Sequence, residues 1–425
     1  MSISATHLEK VQQAWPANRF GHAIDLKDGG ILCMGPMSSE IPGLVQCVSQ
    51  DGGLTWSDFT PLRQEGSAPD SLPFQGIKCI LVRMKSGALG MTYGAAGRMF
   101  FHKSHDEGRT WTPPMGPPPY PSDPDDLTTS AGMAQARPVV LPSGRLIKPR
   151  SRQMSHCSWD PDSGERRALV DRAHGYLMGQ LVELEGHTHE VSLDFAFVSY
   201  TDDEGQTWHR NADGELFVCM DFGAGPIGSF DEVTSVVAPD GSVVLFGRTE
   251  LGQLFKSVSS DEGVTWSQPE PTGLASACAP ADAMRIPGTD DVLLVWTQTS
   301  AEEIRQGLWR ARLSSAISSD SCRTWKHFRC LEANGVPPHA RVPAPAPGWV
   351  RSDPVIPHIP DDFAHASYPR ISIVGGFVVL CYCFYRLSDQ LGITKTADDA
   401  PLPEKSGVKG PPGLQVLPVE WFYDA

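Results

Sequence analysis

The chain has 425 residues, 35 of them basic and 50 acidic, for a formal net charge of −15. So acidic a protein repels phosphate backbones, which argues against nucleic acid as a partner but leaves room for local basic sites that hold small anions. No stretch reaches the roughly 20 apolar residues that a membrane-spanning helix requires, so no membrane partner is expected.

The chain opens with MSISATHLEKVQQAWPANRF, which lacks the apolar core of a secretory leader and predicts a cytoplasmic protein. The ten cysteines are scattered and form no CxxC pair, so they are expected to be buried free thiols rather than a disulfide framework. Glycine (41) and proline (37) are abundant between short apolar segments, a mix that favours short strands and turns over long helices.

The predicted strands come in pairs. AIDLKDGGILCM begins at Ala23 and is followed by SQDGGLTW from Ser49. CILVRMKSGALGMTY begins at Cys79 and is followed by SHDEGRTW from Ser104. PVVLPSGRLIKP begins at Pro138; after an insertion at about 148–190, TDDEGQTW follows from Thr201. SVVAPDGSVVLFGR from Ser235 precedes SSDEGVTW at Ser259, and MRIPGTDDVLLVW from Met284 precedes SSDSCRTW at Ser318. A sixth pair, ISIVGGFVVLCYC from Ile371, has no octapeptide after it. Each apolar pair breaks at Gly or Asp, residues that supply the positive φ of a tight hairpin turn. Five copies of [ST]-x-D-x-x-x-T-W locked to five of six hairpins mark a repeat. Each unit is a hairpin plus a second strand pair whose turn carries the octapeptide. Six such units predict an all-β fold: a six-bladed β-propeller of four-stranded antiparallel blades, as one domain spanning 1–425.

These motifs resemble the Asp-box of the sialidase (neuraminidase) superfamily, and the resemblance covers nearly the whole chain. It implies that each box joins the third and fourth strands of a blade, on the rim away from the active site, as a structural staple. Asp caps neighbouring N–H groups, Gly takes the open conformation, and Trp packs between blades. Cys322 stands at the glycine position of the fifth box, so a distorted turn is expected there.

In a propeller the innermost strands start at one mouth of the central channel. Reading those positions gives Arg19, Arg137, Glu232, Asp282 and Tyr368. The resemblance implies that three arginines hold a substrate carboxylate while a tyrosine, activated by a glutamate, attacks the anomeric carbon. A neutral tyrosine is not repelled by the anchored carboxylate as a carboxylate nucleophile would be. Arginine suits the anchor because its planar fork binds carboxylates bidentately.

Carried onto this chain, the arginines are Arg19, Arg248 and Arg310, with Arg312 a rival for the third. Glu232 is the activating acid and Tyr368 the nucleophile, while Arg137 is either a substrate contact or structural. The superfamily's acid/base Asp has no counterpart before Asp51, which belongs to a box, and Glu40 is the only acid in that segment. Glu40 is therefore the candidate proton donor, with His22 and His365 as alternatives and as candidate sugar contacts. A Pro-rich stretch at about 335–362 is expected to loop over the mouth. His187 and His189 raise a zinc reading, but no third ligand stands at a telling spacing. No metal or cofactor is therefore expected.

The function this implies is exo-hydrolysis of a terminal acidic sugar, sialic acid or a relative, from a glycan. A lyase cleaving uronic-acid glycans by β-elimination needs similar groups without the missing acid. A non-catalytic glycan-binding propeller is the third reading, and nothing in the sequence gives the oligomeric state.

Overall fold

A computed structural model describes residues 5–16, 21–36, 43–67, 74, 79–95, 98–115, 137–152, 158–159, 166–167, 172–177, 180–185, 195–219, 227–350, 358–390, 392 and 413–423. Six antiparallel sheets follow one another along the chain, each with its strands in sequence order from the inside outward. The first blade is His22–Asp25, Ile31–Gly35, Val45–Ser49 and Thr60–Pro61. The second is Cys79–Arg83, Leu89–Ala95 and Arg98–Ser104. The third is Val139–Val140, Leu146–Arg152, Phe195–Thr201 and His209–Arg210. Asp231–Val237, Val243–Arg248, Gln253–Ser259 and Glu270–Ala275 make the fourth. The fifth is Asp282–Arg285, Val292–Thr297, Arg312–Ser318 and Lys326–Ala333, and the sixth is Ala364–Val374, Phe377–Arg386 and Leu414–Pro418. The propeller expected from the repeat is the observed fold. Within the third-blade insertion, Arg172–Leu177 pairs with Gln180–Glu185 as a hairpin of its own.

The core lies between blades rather than inside them. Leu32, Met34 and Leu62 of the first blade pack with Leu81, Leu89 and Met91 of the second around Trp111. Equivalent clusters fill the third–fourth, fourth–fifth and fifth–sixth junctions. The ring closes where Ile31 and Cys33 of the first blade meet Val379 and Cys381 of the sixth. Polar ties reinforce that seam: Ala23 N donates to Ser372 Oγ at 2.9 Å and Gly375 N to Asp25 Oδ1 at 3.1 Å. The helix Ala5–Ala14, which the strand-rich composition did not announce, lies against the outer strand of the sixth blade. Its Val11 and the following Trp15 enter the same seam, and Gln12 Nε2 donates to Leu414 O at 3.4 Å.

All five octapeptides begin on the last residue of a third strand: Ser49, Ser104, Thr201, Ser259 and Ser318. Their hydrogen bonding repeats. In the second box, Ser104 Oγ donates to Asp106 Oδ1 at 2.8 Å and accepts from Gly108 N at 2.8 Å. Asp106 then accepts from Thr110 N at 2.9 Å and Thr110 Oγ1 at 2.7 Å. The box glycines sit against the preceding blade: a Cβ on Gly205 would meet Phe101 at 2.5 Å and one on Gly263 would meet Ile147 at 2.7 Å. The expected distortion at the fifth box is absent. Cys322 adopts φ +62, its N–H still reaches Ser318 Oγ at 3.0 Å, and Asp320 still accepts from Thr324 N at 2.8 Å. The glycine-like conformation is imposed by these bonds on a side chain that disfavours it. The eight cysteines whose side chains are described are free, and most are buried.

Candidate active site

Nine described non-glycine residues have positive φ. Five lie in boxes: Glu107, Glu204, Glu262 and Ser321, each just before the glycine position, and Cys322 in it. Three of the other four are Glu232 (φ +43), Arg310 (φ +65) and Tyr368 (φ +57). Such conformations cost of order 1–3 kcal/mol each and persist only where surrounding structure fixes them. Glu232 is the second residue of Asp231–Val237, Arg310 just precedes Arg312–Ser318 and Tyr368 lies within Ala364–Val374; Glu232 and Tyr368 coincide with β-bulges. The pairing of Asp231–Val237 with Val243–Arg248 shifts register between Asp231 and Thr234. That of Ala364–Val374 with Phe377–Arg386 shifts between Ser367 and Arg370. A bulge breaks the in–out alternation of a strand and re-aims a side chain.

These turned residues meet. Arg248, 3 % exposed, is gripped by Asp231 at 2.9 Å from both Nε and Nη2, and its Nη1 lies 2.6 Å from Glu232 Oε2. The same Nη1 donates to the Tyr368 hydroxyl at 3.3 Å. Arg310 stands over the Tyr368 ring with its guanidinium carbon 5.3 Å from the centroid, anchored by Nη2 donating to Cys278 O at 2.6 Å. Burial pushes the Tyr368 phenol well above its usual range; Glu232 pushes it further, while Arg310 and Arg248 oppose the rise. The phenol is thus protonated at neutral pH, between two guanidinium groups and in the field of a carboxylate. Desolvation also lifts Glu250, two residues past Arg248, to about 7, aided by the charge of Asp231.

Arg310 and Arg312 separate cleanly. Arg312 pairs with Glu303 of the helix Ala301–Arg305 and donates to Pro337 O at 2.9 Å and Gln298 O at 3.2 Å. It holds structure behind the mouth; Arg310 faces Tyr368. Arg137 and His22 lie elsewhere, in the channel. Arg137 makes a bidentate pair with Asp282, Nε to Oδ1 at 2.9 Å and Nη2 to Oδ2 at 2.5 Å, and also donates to Ile371 O. His22 has Leu81 N 3.3 Å from Nδ1 and Arg137 Nη1 3.2 Å from Nε2. Burial, then Arg137 and Arg370, hold His22 well below its usual range, so it has no proton to give at neutral pH. His365 places Nδ1 against the Tyr385 hydroxyl and its ring edge-on to Phe363. Arg19 and Glu40 lie outside the described residues.

The BNR repeat-like domain model matches residues 80–379, well over half of the chain. The chain belongs to that family. Its fold is shared with a protein of unknown function from Dyadobacter fermentans, at 17 % identity, 88 % of this chain and 93 % of that one, with a TM-score of 0.51. A Hadza microbial sialidase aligns at 14 % identity over 89 % of this chain and 68 % of that one, TM-score 0.46. A Trypanosoma rangeli sialidase mutant displaying trans-sialidase activity aligns at 11 % over 88 % and 53 %, TM-score 0.44, so this chain spans about half of it. No curated protein matches the chain.

In this BNR-repeat propeller the Pro-rich segment crosses the ends of the fifth and fourth blades. Val342 N donates to Gln298 Oε1 at 2.8 Å, Gln253 Nε2 to Pro345 O at 2.9 Å and Val350 N to Glu250 O at 3.3 Å. Among the described residues, no three His, Cys, Asp or Glu side chains are grouped to hold a metal ion. Sequence reasoning missed two members of the cluster, Asp231 and Glu250. Asp231 adjoins Glu232, and strict strand alternation would send the two to opposite faces; only the bulge brings both to Arg248. Glu250 lies beyond the end of its strand, where periodicity carries no signal.

Proposed function

We propose that this protein is a sialidase-like exo-glycoside hydrolase that removes a terminal carboxylated sugar from a glycan with retention of configuration. The observation that carries the reading is the convergence of Glu232, Arg248 and Arg310 on Tyr368, on strained backbone at three of the four positions. A fold shared with sialidases is by itself no argument for a reaction.

In the proposed mechanism, Arg248 and Arg310, with Arg19, hold the substrate carboxylate. The Tyr368 oxygen attacks the anomeric carbon as its proton passes to Glu232, and Glu40 protonates the departing glycosidic oxygen. Water then attacks the glycosyl–tyrosine bond, giving its proton to the deprotonated Glu40 carboxylate, and Tyr368 recovers its proton from Glu232. Proton transfers of this kind contribute of order 10²–10⁴-fold each.

The test is fluorophore release from an aryl glycoside of an acidic sugar by wild type and Tyr368→Phe, both checked for native thermal midpoint. The variant should lose at least a hundredfold in kcat. Equal rates would remove the tyrosine nucleophile. Products absorbing in the near ultraviolet would signal elimination instead and overturn hydrolysis.

A further inference from the structure

Behind the Tyr368 cluster, the propeller axis gathers an unbalanced set of buried charges. Arg370, two residues along the strand from Tyr368 and just past its bulge, is 6 % exposed. No described residue accepts a hydrogen bond from its guanidinium. Its electrostatic neighbours come from several blades: Asp282 from the fifth, Arg137 from the third, Cys79 from the second and Cys381 from its own. Its charge is also felt by His22 of the first blade and by Lys148, a fully buried lysine on the second strand of the third.

Asp282 is the carboxylate nearest to hand, and its oxygens are already occupied. Oδ1 accepts from Arg137 Nε at 2.9 Å, Thr234 Oγ1 at 2.9 Å and Ala283 N at 3.1 Å; Oδ2 accepts from Arg137 Nη2 at 2.5 Å and Ile371 N at 2.8 Å. Five donors saturate a carboxylate, which offers about four lone-pair sites. Among the described residues, Asp282 therefore balances Arg137 and leaves Arg370 without a carboxylate of its own. A buried guanidinium stays charged, and an unpaired buried charge is among the costliest features a fold can carry. Counted over Arg137, Arg370 and Asp282, the described residues fall one negative charge short.

We propose that the propeller axis holds a small monovalent inorganic anion of the chloride class, bound to Arg370. The anion would complete the charge balance of the channel and join side chains of the first, second, third and sixth blades through one centre. It is independent of the hydrolase reading, since it needs none of Tyr368, Glu232 or Arg310.

The test uses the full chain exchanged into potassium gluconate and titrated with potassium chloride or bromide at constant ionic strength, with the thermal midpoint as readout. Wild type should show a saturable rise, about 3 °C at a hundredfold excess over Kd. Arg370→Met should give coincident curves in gluconate and chloride. Should Arg370→Met not fold, Arg370→Lys, which keeps the charge but loses the fork, should retain a rise with a weaker apparent Kd. Crystals of wild type grown in bromide should give an anomalous peak within bonding distance of the Arg370 guanidinium. Indistinguishable gluconate, chloride and bromide curves for wild type would overturn the site, as would bromide peaks confined to the surface.

Discussion

Asp282→Asn isolates the buried pair on which the inner ring is built. The substitution keeps the side chain's shape, removes its charge, and turns one acceptor oxygen into an NH₂ group. If that group takes the Oδ2 place it faces two donors, Arg137 Nη2 and Ile371 N; in the Oδ1 place it faces three, Arg137 Nε, Thr234 Oγ1 and Ala283 N. Either way a donor opposes donors, and Arg137 remains a buried cation without its counter-charge. Removing one member of a buried ion pair costs about 3–5 kcal/mol. For 425 residues the entropy of unfolding is about 0.9 kcal/mol per degree, so the thermal midpoint should fall by about 3–6 °C. The matched control is Asp290→Asn, whose pair with Arg285 is 77 % exposed on the acid's side; it should shift the midpoint by less than about 1 °C. Scanning fluorimetry in one buffer reads both. A midpoint for Asp282→Asn within a degree of wild type would refute the assignment of Asp282 as the structural counter-charge. Loss of turnover with an unchanged midpoint would make it part of the reaction instead.

Glu250→Gln tests a second buried carboxyl. Because burial raises Glu250 in the folded state from 4.5 to about 7, its contribution to stability is fully present below the ordinary value and lost as pH rises through 7. The variant should match wild type at pH 4 and exceed it at pH 8, by about 2–3 kcal/mol, in urea unfolding; a difference independent of pH would sink the reasoning. Trp111→Ala should cost about 3–5 kcal/mol, because the ring is fully enclosed between the first two blades. Trp56→Ala, in the first box, should cost less than half as much, since that ring is only partly buried beside Trp15; equal losses would contradict the burial difference.

The propeller was legible because its repeat sets both turn chemistry and strand spacing. A box fixes where a third strand ends, and the hairpin before it fixes the first two, so the inner strand ends could be counted off. That counting gave Arg19, Arg137, Glu232, Asp282 and Tyr368; Arg248 and Arg310 came only from the resemblance. Counting could not tell depth along the channel, and so it put Arg137 among the mouth residues, whereas it pairs across the axis with Asp282. Nor could it separate Arg310 from Arg312, which differ in what they meet, Tyr368 in one case and Glu303 in the other. The N-terminal helix was missed although Leu8, Val11 and Trp15 fall at helical spacing. Its apolar stripe is three residues long and becomes meaningful only once the sixth blade offers a groove for it.

The bulges matter more to the site than any single residue type. A regular strand would present Asp231 and Glu232 to opposite faces, and Arg248 would then have one buried acid beside it. With φ +43 at Glu232, both acids reach the same guanidinium. Apart from Glu250, whose carboxyl burial lifts to about 7, the cluster then contains two buried arginines, two acids and a neutral phenol, and those charges balance. Under the proposed function that balance has a consequence. A substrate carboxylate bound by Arg248 and Arg310 adds one negative charge and raises the proton affinity of Glu232 and Tyr368 alike. Passing the proton to Glu232 in advance would only move a negative charge onto the phenol oxygen. The transfer therefore accompanies attack on the anomeric carbon, where that oxygen ends neutral in the new bond, and Glu232 acts in the reacting step rather than in binding. Glu232→Gln, which cannot accept that proton, should therefore lose its rate in kcat rather than in KM.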